Sequence, residues 1–454
     1  MPDLRSLIDQ KHWLIGDQVF AQDIYQRELE TVFGRCWLFV GHDSMVPKPH
    51  DYFTHFMGET GVIVQRDGAG RIRGYLNKCR HRGNIVCPYD RGNAKNFSCA
   101  YHGWVYSDGK LIGVPHSDEA YAGGINFDEW GLVEIPKLQS WGGLIFGCWD
   151  PDAISLDDYL GDARWYLEHF LLREKLGGLE VIPGVQRYMV PTNWKIVSEN
   201  LAGDHYHFMV THGGFVEALR KSEDKRIALT GVSTGGRFHA FSVALNHDHG
   251  VPHGIFQLRS GSGQLETDLT AAEELGPEAV AWVHERQRVL EEELKDFKHK
   301  PYSFQGGNIF PNLGLTGVGS ALYGKAFMLH HPRGADRTEV WTWCAVEKNA
   351  PAAVKERARF VLMQRFAATG MVVSDDSAIF ERIAENLNTP PSRQWPMHYA
   401  MAMAQEGEDP RPAALAGEPQ RWPGLLTQTF QETAQRDFYR YWSELMNTNP
   451  APAN

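Results

Sequence analysis

Residues 79–104 read CRHRGNIVCPYDRGNAKNFSCAYHGW. Within this stretch Cys79 and His81 form one short motif, Cys99 and His102 form a second, and 17 residues separate the two motifs. Two thiolates and two imidazoles supplied by two loops suit a [2Fe–2S] cluster in which histidines replace cysteines on one iron. The sequence therefore predicts an electron-relay cluster, and a relay within a chain of 454 residues implies a second site that consumes electrons.

The alternative for these four ligands is a structural Cys2His2 zinc site. Zinc fingers usually pair cysteine with cysteine and histidine with histidine, whereas each loop here reads cysteine and then histidine. Gly83 and Gly103 follow the two histidines, as loops that turn tightly around a cluster require. The order of the ligands favours the iron–sulfur cluster over zinc.

Composition excludes several classes of protein. A formal net charge of −11 argues against a nucleic-acid binder, and no uninterrupted apolar stretch approaches the roughly 18 residues of a transmembrane helix. The first residues lack the charged-then-apolar layout of a signal peptide. The spacing of the six cysteines suggests no disulfide framework, so we expect a cytoplasmic protein.

The sequence patterns predict an α+β fold with two domains. Short strand-like runs separated by glycine fill residues 38–155, where we expect a small antiparallel β domain that holds the cluster. Residues 1–37 and 156–454 mix helical and strand patterns, and there we expect a larger catalytic domain with an antiparallel sheet covered by helices. The run RTEVWTWCAVE (337–347) predicts a strand with one covered face.

A second group of metal ligands lies in NWKIVSENLAGDHYHFMVTH, residues 193–212. Asp204 and His207 share one face of a helix, whereas His212 is rotated from His207 by about 140°. Both imidazoles can therefore reach one metal only if the helix ends or bulges between them. Two histidines and one carboxylate would form the facial triad of a mononuclear Fe(II) oxygenase, but spacing does not identify the carboxylate. The alternative is an ordinary histidine-rich helix.

Taken together, these motifs resemble the large (α) subunit of Rieske ring-hydroxylating oxygenases, in particular the toluene/biphenyl and polycyclic-arene branch. The resemblance covers nearly the whole chain. The stretches that carry it, besides the ligand motifs, are RCWLFVGH (35–42), RHRGN (80–84), YHGW (101–104), NIFPN (308–312), LHHPRG (329–334) and EVWTW (339–343).

The resemblance implies a role for each ligand. Cys79 and Cys99 would hold one cluster iron, and His81 and His102 the other. The ligands of the mononuclear Fe(II) would be His207, His212 and Asp376. Asp375 competes with Asp376, and both acids also suit the start of a helix, with Ser374 or Asp375 as its cap.

Asp204 has a different implied role. In relatives an aspartate here links a cluster histidine of one subunit to an iron histidine of the next, which in this chain would be His102 and His207. Such a link orients an imidazole and requires head-to-tail contacts in a closed ring, for which three α subunits are the family's usual number.

The resemblance also implies a substrate pocket. Its matching positions are Asn200, Leu201, Phe208, Phe366 and Val372, and apart from Asn200 these side chains are apolar, as an aromatic hydrocarbon requires. Leu201 and Val372 also suit plain core packing. No arginine is among them, which disfavours an aromatic carboxylate, although Arg220 and Arg365 are close in sequence and could point inward.

The expected activity is the cis-dihydroxylation of a polycyclic or biaryl hydrocarbon with O2. Because no GxGxxG follows a strand, electrons from NAD(P)H must arrive through a separate reductase, with or without a ferredoxin. The resemblance implies a small β subunit and an α3β3 hexamer. A ferredoxin would dock on the basic residues of the cluster loops, unless these are ordinary solvated charges: Lys78, Arg80, Arg82, Arg91 and Lys95. A Rieske monooxygenase or demethylase, and a dioxygenase of an aromatic carboxylate, remain alternatives.

Overall fold

The structure is a computed structural model that describes residues 4–172, 174–221, 238–261, 264–296, 301–317, 320–387, 389–408, 410 and 422–448. The chain divides into two compact units. The inserted unit is Leu29–Leu156, and the larger unit combines the residues up to Glu28 with those from Asp157 onward. None of the described helices has both the length and the apolar character that a bilayer span requires.

The described elements are mixed helices and strands, as the predicted α+β class requires. The strands are β1 (Ile8–Asp9), β2 (Leu14–Ile15), β3 (Leu38–His42), β4 (Asp51–Met57), β5 (Thr60–Arg66), β6 (Ile72–Leu76), β7 (Arg91–Asn93), β8 (Asn96–Ser98), β9 (Val105–Ser107), β10 (Lys110–Gly113), β11 (Lys137–Trp141), β12 (Leu144–Cys148), β13 (Leu179–Val181), β14 (Gln186–Val190), β15 (Phe238–Leu245), β16 (His253–Gly261), β17 (Pro301–Ser303), β18 (Gly306–Ile309), β19 (Leu313–Thr316), β20 (Lys325–Pro332), β21 (Thr338–Glu347), β22 (Met397–His398) and β23 (Leu425–Thr427). The α-helices are α1 (Gln22–Thr31), α2 (Ser117–Ala120), α3 (Leu156–Leu160), α4 (Ala163–Tyr166), α5 (Trp194–Gly203), α6 (Phe208–Thr211), α7 (Gly213–Lys221), α8 (Gln264–Glu273), α9 (Pro277–Glu293), α10 (Ala352–Phe366), α11 (Met371–Asn386) and α12 (Thr433–Met446).

The inserted unit is built from three antiparallel sheets. Their strand orders are β6-β5-β4-β7, β11-β12-β3 and β10-β9-β8. The first ligand loop follows β6, and the second connects β8 to β9. Cys79 and Cys99 belong to the same buried cluster as Tyr52, Ile63 and Tyr106, so both loops are fixed to the core of this unit.

The larger unit is organised around a ten-stranded antiparallel sheet. Its main order is β13-β21-β20-β19-β18-β16-β15-β23, with β14 on β21 and β17 on β16. Every residue of β20 and all but Glu339 in β21 are buried. The prediction that 337–347 has one covered face is therefore wrong. Helix α10 packs on β20 and β21, and α5 packs on β20.

Helix α5 lies unusually close to the sheet. Asn193 caps its first turn, since the side-chain oxygen accepts a hydrogen bond from the Lys195 N–H. A side chain at Gly254 in β16 would place its Cβ 1.8 Å from the carbonyl oxygen of Ala202, so only glycine permits this approach. The last turn of α5 is thus held directly on the sheet.

The carboxylate of Glu28 anchors the first turn of the same helix. It accepts hydrogen bonds from the indole of Trp194 at 2.8 Å and from that of Trp442 at 2.7 Å, and it pairs with the buried ammonium of Lys195. A buried carboxylate with three donors meets the requirement that a buried charge be paired and hydrogen-bonded. Helices α1, α5 and α12 therefore meet at one charged group.

Candidate metal centres

The two ligand loops of the inserted unit share one backbone geometry. In each loop the cysteine N–H donates to a carbonyl five residues later, from Cys79 to Asn84 and from Cys99 to Trp104. The glycine four residues after each cysteine donates back to the cysteine carbonyl, and both glycines have a positive φ. The tight turns predicted at Gly83 and Gly103 are present, and they arrange the two loops alike.

The four ligand side chains all lie in this unit, and the two imidazoles are neighbours. The Cys79 and Cys99 thiols are buried, whereas the imidazoles of His81 and His102 are partly exposed, with ring centroids 4.5 Å apart. Nδ1 of His81 is buried and, within the described residues, has no hydrogen-bond partner. An unpartnered nitrogen beside a second imidazole, in the unit that also buries the two thiols, suits a [2Fe–2S] cluster.

Polar groups around the sulfur atoms favour thiolates. The Tyr106 hydroxyl lies 3.3 Å from the Cys79 sulfur, and the Asn84 amide donates to the Cys99 sulfur at 3.7 Å. Burial alone would raise the pKa of Cys99, but backbone N–H groups of Tyr101 and His102 and the Asn84 amide lower it. Thiolates are the form that binds iron, so these contacts fit the ligand role.

The second centre forms where the helical run of the larger unit breaks. Helix α5 ends at Gly203, His207 immediately precedes the single turn of α6, and His212 immediately follows it. The break that the five-residue spacing requires is therefore present. Nε2 of His207 and Nε2 of His212 lie 3.6 Å and 3.1 Å from Oδ1 of Asp376, and the three ligand atoms lie within 4.8 Å of one another.

In each of the two histidines, Nδ1 is the nitrogen that faces away from Asp376, and the two Nδ1 atoms contact different carboxylates. Nδ1 of His207 lies 3.3 Å from Oδ2 of Asp204 and 3.2 Å from the Asn200 amide, and Nδ1 of His212 lies 3.2 Å from Oδ2 of Asp375. A carboxylate there holds the proton on Nδ1 and leaves Nε2 free to bind a metal. The donor set of two imidazoles and one carboxylate thus fits mononuclear iron.

The structure distinguishes the two neighbouring aspartates. Asp376 faces both Nε2 atoms, whereas Asp375 contacts only the far side of His212. Helix α11 begins at Met371 after Gly370, so Asp375 and Asp376 lie beyond its first turn. The alternative of Ser374 or Asp375 as the helix cap is wrong, because the helix begins before either residue.

A cavity of about 330 Å³ adjoins this centre, and it is lined by Asp204, His207 and Asp376 among others. Glu199, one turn before Gly203, also lines it and accepts hydrogen bonds from the Tyr399 hydroxyl at 2.9 Å and 3.1 Å. Burial raises the pKa of Glu199 to about 8. The sequence does not single out Glu199, because nothing in the segment SENLAGD shows that its carboxyl group is buried.

The expected pocket residues occupy two places. Phe208 and Phe366 pack against Phe215, Val216 and Val372, and the ring of Phe208 lies 5.5 Å from that of His212. Leu201 lies elsewhere, on α5 over Gly314 of β19. Asn200 contacts His207, as given above. The side chain of Arg220 lies outside the described residues.

Two protein families match the chain. "Ring hydroxylating alpha subunit (catalytic domain)" matches residues 156–448, and "Rieske [2Fe-2S] domain" matches residues 36–137. The chain is 31% identical to biphenyl 2,3-dioxygenase subunit alpha of Rhodococcus jostii (strain RHA1), over 98% of this chain and 92% of the relative. It is 34% identical to the large oxygenase component of the naphthalene 1,2-dioxygenase system of Pseudomonas aeruginosa, over 96% and 91% of the two chains.

Solved structures agree with these matches. A naphthalene 1,2-dioxygenase with indole bound in the active site superimposes with a TM-score of 0.81 and 31% identity, over 97% of this chain and 94% of that one. A quaternary ammonium Rieske monooxygenase in complex with L-carnitine shares the fold, with a TM-score of 0.65 at 15% identity.

Replacing the two aspartates separately tests their assignment. Asp376→Ala removes the oxygen that faces both Nε2 atoms, so we expect iron to fall from about three to about two per two sulfides. Asp375→Asn changes only the far contact of His212, so we expect iron to stay bound with roughly 10- to 100-fold weaker affinity. Iron and acid-labile sulfide analysis measures both. Equal iron loss in the two variants would contradict the assignment.

The raised pKa of Glu199 predicts a pH-dependent stability. Between the ordinary value of 4.5 and about 8 the folded chain holds a proton that the unfolded chain has released. The free energy of unfolding therefore falls as pH rises through this window, by up to about 1.4 kcal/mol per pH unit. Glu199→Gln should flatten this fall in denaturant titrations, whereas the exposed Glu385→Gln should not. Parallel curves for wild type and Glu199→Gln would refute the proton on Glu199.

Proposed function

Because the chain belongs to the ring-hydroxylating alpha-subunit family, we propose that it is the terminal oxygenase component that cis-dihydroxylates a polycyclic or biaryl aromatic hydrocarbon with O2 and electrons from NAD(P)H. The observation that carries the proposal is the pair of Nε2 atoms, from His207 and His212, facing one oxygen of Asp376. The same chain carries the Rieske domain of an electron relay. We assign the cluster to residues 38–155 and the iron to the remainder.

Cys79, His81, Cys99 and His102 would hold the cluster, which would supply electrons when bound, and His207, His212 and Asp376 would hold the iron, which would supply the activation of O2. The other residues position these groups. Asp204 and Asp375 hold the two imidazoles by their far nitrogens, which fixes the ring planes and the tautomers. Together they keep both Nε2 atoms turned toward Asp376.

The apolar side chains beside the centre support an aromatic substrate. Phe208 and Phe366 are partly exposed and pack on the buried residues Phe215 and Val372. Flat apolar walls of this kind bind a ring and exclude water from it. The relatives are named for biphenyl, naphthalene and benzene.

Relatives named as components of a dioxygenase system support separate redox partners. We propose a small β subunit in an α3β3 hexamer, and a reductase with or without a ferredoxin. Arg82 and Lys95 are exposed and suit an acidic partner, whereas Arg80 is held by the Gly131 carbonyl and the ring of Trp130. The need for NAD(P)H and six cysteines of which none is in a disulfide support a cytoplasmic location.

Labelled O2 tests the reaction. The assembled enzyme, supplied with NAD(P)H and its electron donors, should convert naphthalene or biphenyl into a cis-dihydrodiol that carries two labelled oxygen atoms. Mass spectrometry of the product counts the label. A product with one labelled atom would instead support the monooxygenase alternative.

Asp204→Asn tests the electron path. We expect both metals to remain bound, while reoxidation of the reduced cluster in the presence of substrate slows roughly 10- to 100-fold. Asp375→Asn is the matched control, because it alters the far nitrogen of the other iron histidine. Normal turnover by Asp204→Asn would refute the electron path through Asp204. Equal slowing in both variants would show that Asp204 only orients His207.

A further inference from the structure

Glu199 is a titratable group beside the iron centre that is neither a metal ligand nor a partner of one. It lies in α5, and it lines the same cavity as His207 and Asp376. Part of its surface is accessible, so its carboxyl group can exchange a proton with the cavity. An acid at this place can therefore store a proton next to the site where O2 would react.

A tyrosine holds the carboxyl group in place. The hydroxyl of Tyr399 lies 2.9 Å from Oε1 and 3.1 Å from Oε2 of Glu199. The backbone N–H of Tyr399 donates to the Trp13 carbonyl, and its ring centroid lies 5.4 Å from that of Tyr439. Burial and the nearby charge of Glu199 hold the pKa of both phenols well above the usual value. Within this group, Glu199 is thus the member that exchanges a proton near neutral pH.

The surroundings of Glu199 favour its neutral form. Burial is the main cause of its raised pKa, and the nearby charges of Asp204 and Glu432 add to it. The ammonium of Lys195 lies one turn earlier in α5, but it is paired with Glu28. A pKa of about 8 leaves the proton on the carboxyl group at neutral pH. A general acid works best when its pKa lies close to the pH at which it acts.

We propose that Glu199 donates one of the protons that the dihydroxylation consumes. The inference rests on the proposed function, because it assigns a residue to the same reaction. When an arene and O2 form a cis-dihydrodiol, the O–O bond breaks, two C–O bonds form and each oxygen becomes a hydroxyl group. This change consumes two electrons and two protons. NAD(P)H supplies the electrons through the redox partners, and Glu199 supplies one proton and becomes a carboxylate.

Water in the cavity connects Glu199 with the reacting oxygen and with the solvent. A volume of about 330 Å³ is large enough for several water molecules, and Asn200 and Asp204 in the lining offer them polar partners. Tyr206 and His398 also line the cavity and are exposed, so the cavity extends to the surface. Solvent can therefore supply the second proton and restore the first to Glu199 after each turnover.

Infrared titration tests the stored proton without any turnover. In the assembled, metal-loaded enzyme we expect a carboxylic-acid C=O band that disappears as pH rises through about 8. Glu199→Gln should lack this band, whereas Glu385→Gln, which changes an exposed acid, should keep it. A spectrum with no such titration, or a band that persists in Glu199→Gln, would overturn the proposal.

Single-turnover kinetics test the donation. The reduced wild-type enzyme, mixed with naphthalene and O2, should form product more slowly as pH rises through about 8. Glu199→Gln should keep its iron and sulfide, form product roughly 100-fold more slowly at neutral pH and lose this pH dependence. Glu199→Asp, which retains an acid, should recover part of the rate. A slow Glu199→Gln with the wild-type pH profile would show a packing role and overturn the proposal.

Tyr399→Phe gives a second test whose sign is fixed by the structure. The Tyr399 hydrogen bond lowers the pKa of Glu199, so its removal should move the loss of rate to higher pH. An unmoved profile, or a shift to lower pH, would overturn the proposal. If Glu199→Gln does not fold, this variant and the wild-type infrared titration still decide.

Product analysis separates this inference from the function on which it rests. If naphthalene is dihydroxylated at the wild-type rate by Glu199→Gln, the role of Glu199 is refuted and the oxygenase stands. If the wild-type enzyme incorporates no oxygen into any arene, the proposed function is refuted and the donor role falls with it, even where the infrared band shows the proton on Glu199.

Discussion

The iron centre depends on how closely α5 approaches the sheet. Ala202 can touch β16 only because residue 254 has no side chain, and the next turn of chain carries Asp204 and His207. A shift of the helix by the width of a methyl group would move both residues relative to Asp376, which comes from α11. The distances at the centre are therefore set by backbone packing, and packed interiors resist such shifts strongly.

Asp204 and Glu199 line the same cavity, and their surroundings keep them in opposite protonation states. Burial would raise the pKa of Asp204, but its hydrogen bonds with His207 lower it, so the carboxylate stays ionised. Burial together with the nearby charge of Asp204 raises the pKa of Glu199. Two acids whose pKa values are shifted in opposite directions can perform different tasks at one pH. The cavity can thus hold a fixed negative charge and a bound proton side by side.

The parts of this protein that could be predicted are those in which residue type limits the chemistry. Cysteine and histidine in two loops, or two histidines with one acid, have few other uses at such spacings, and His207, His212 and Asp376 do come together. Burial and contacts between distant segments leave no comparable pattern in the sequence. Nothing in the pattern of β21 shows that nearly all of its residues are buried, and the contact of Asp375 with His212 spans 163 positions.

Finally, the anchor at Glu28 makes folding depend on the order of synthesis. Glu28 precedes the inserted unit, whereas its partner Trp442 is 414 positions later, in the last helix. A ribosome releases the inserted unit whole, so that unit can become compact while translation continues. In the larger unit, Glu28 can bond to Trp442 only after α12 has been synthesised. A nascent chain cut short before Trp442 would thus present one finished unit attached to one unfinished unit, the kind of product that quality-control proteases remove.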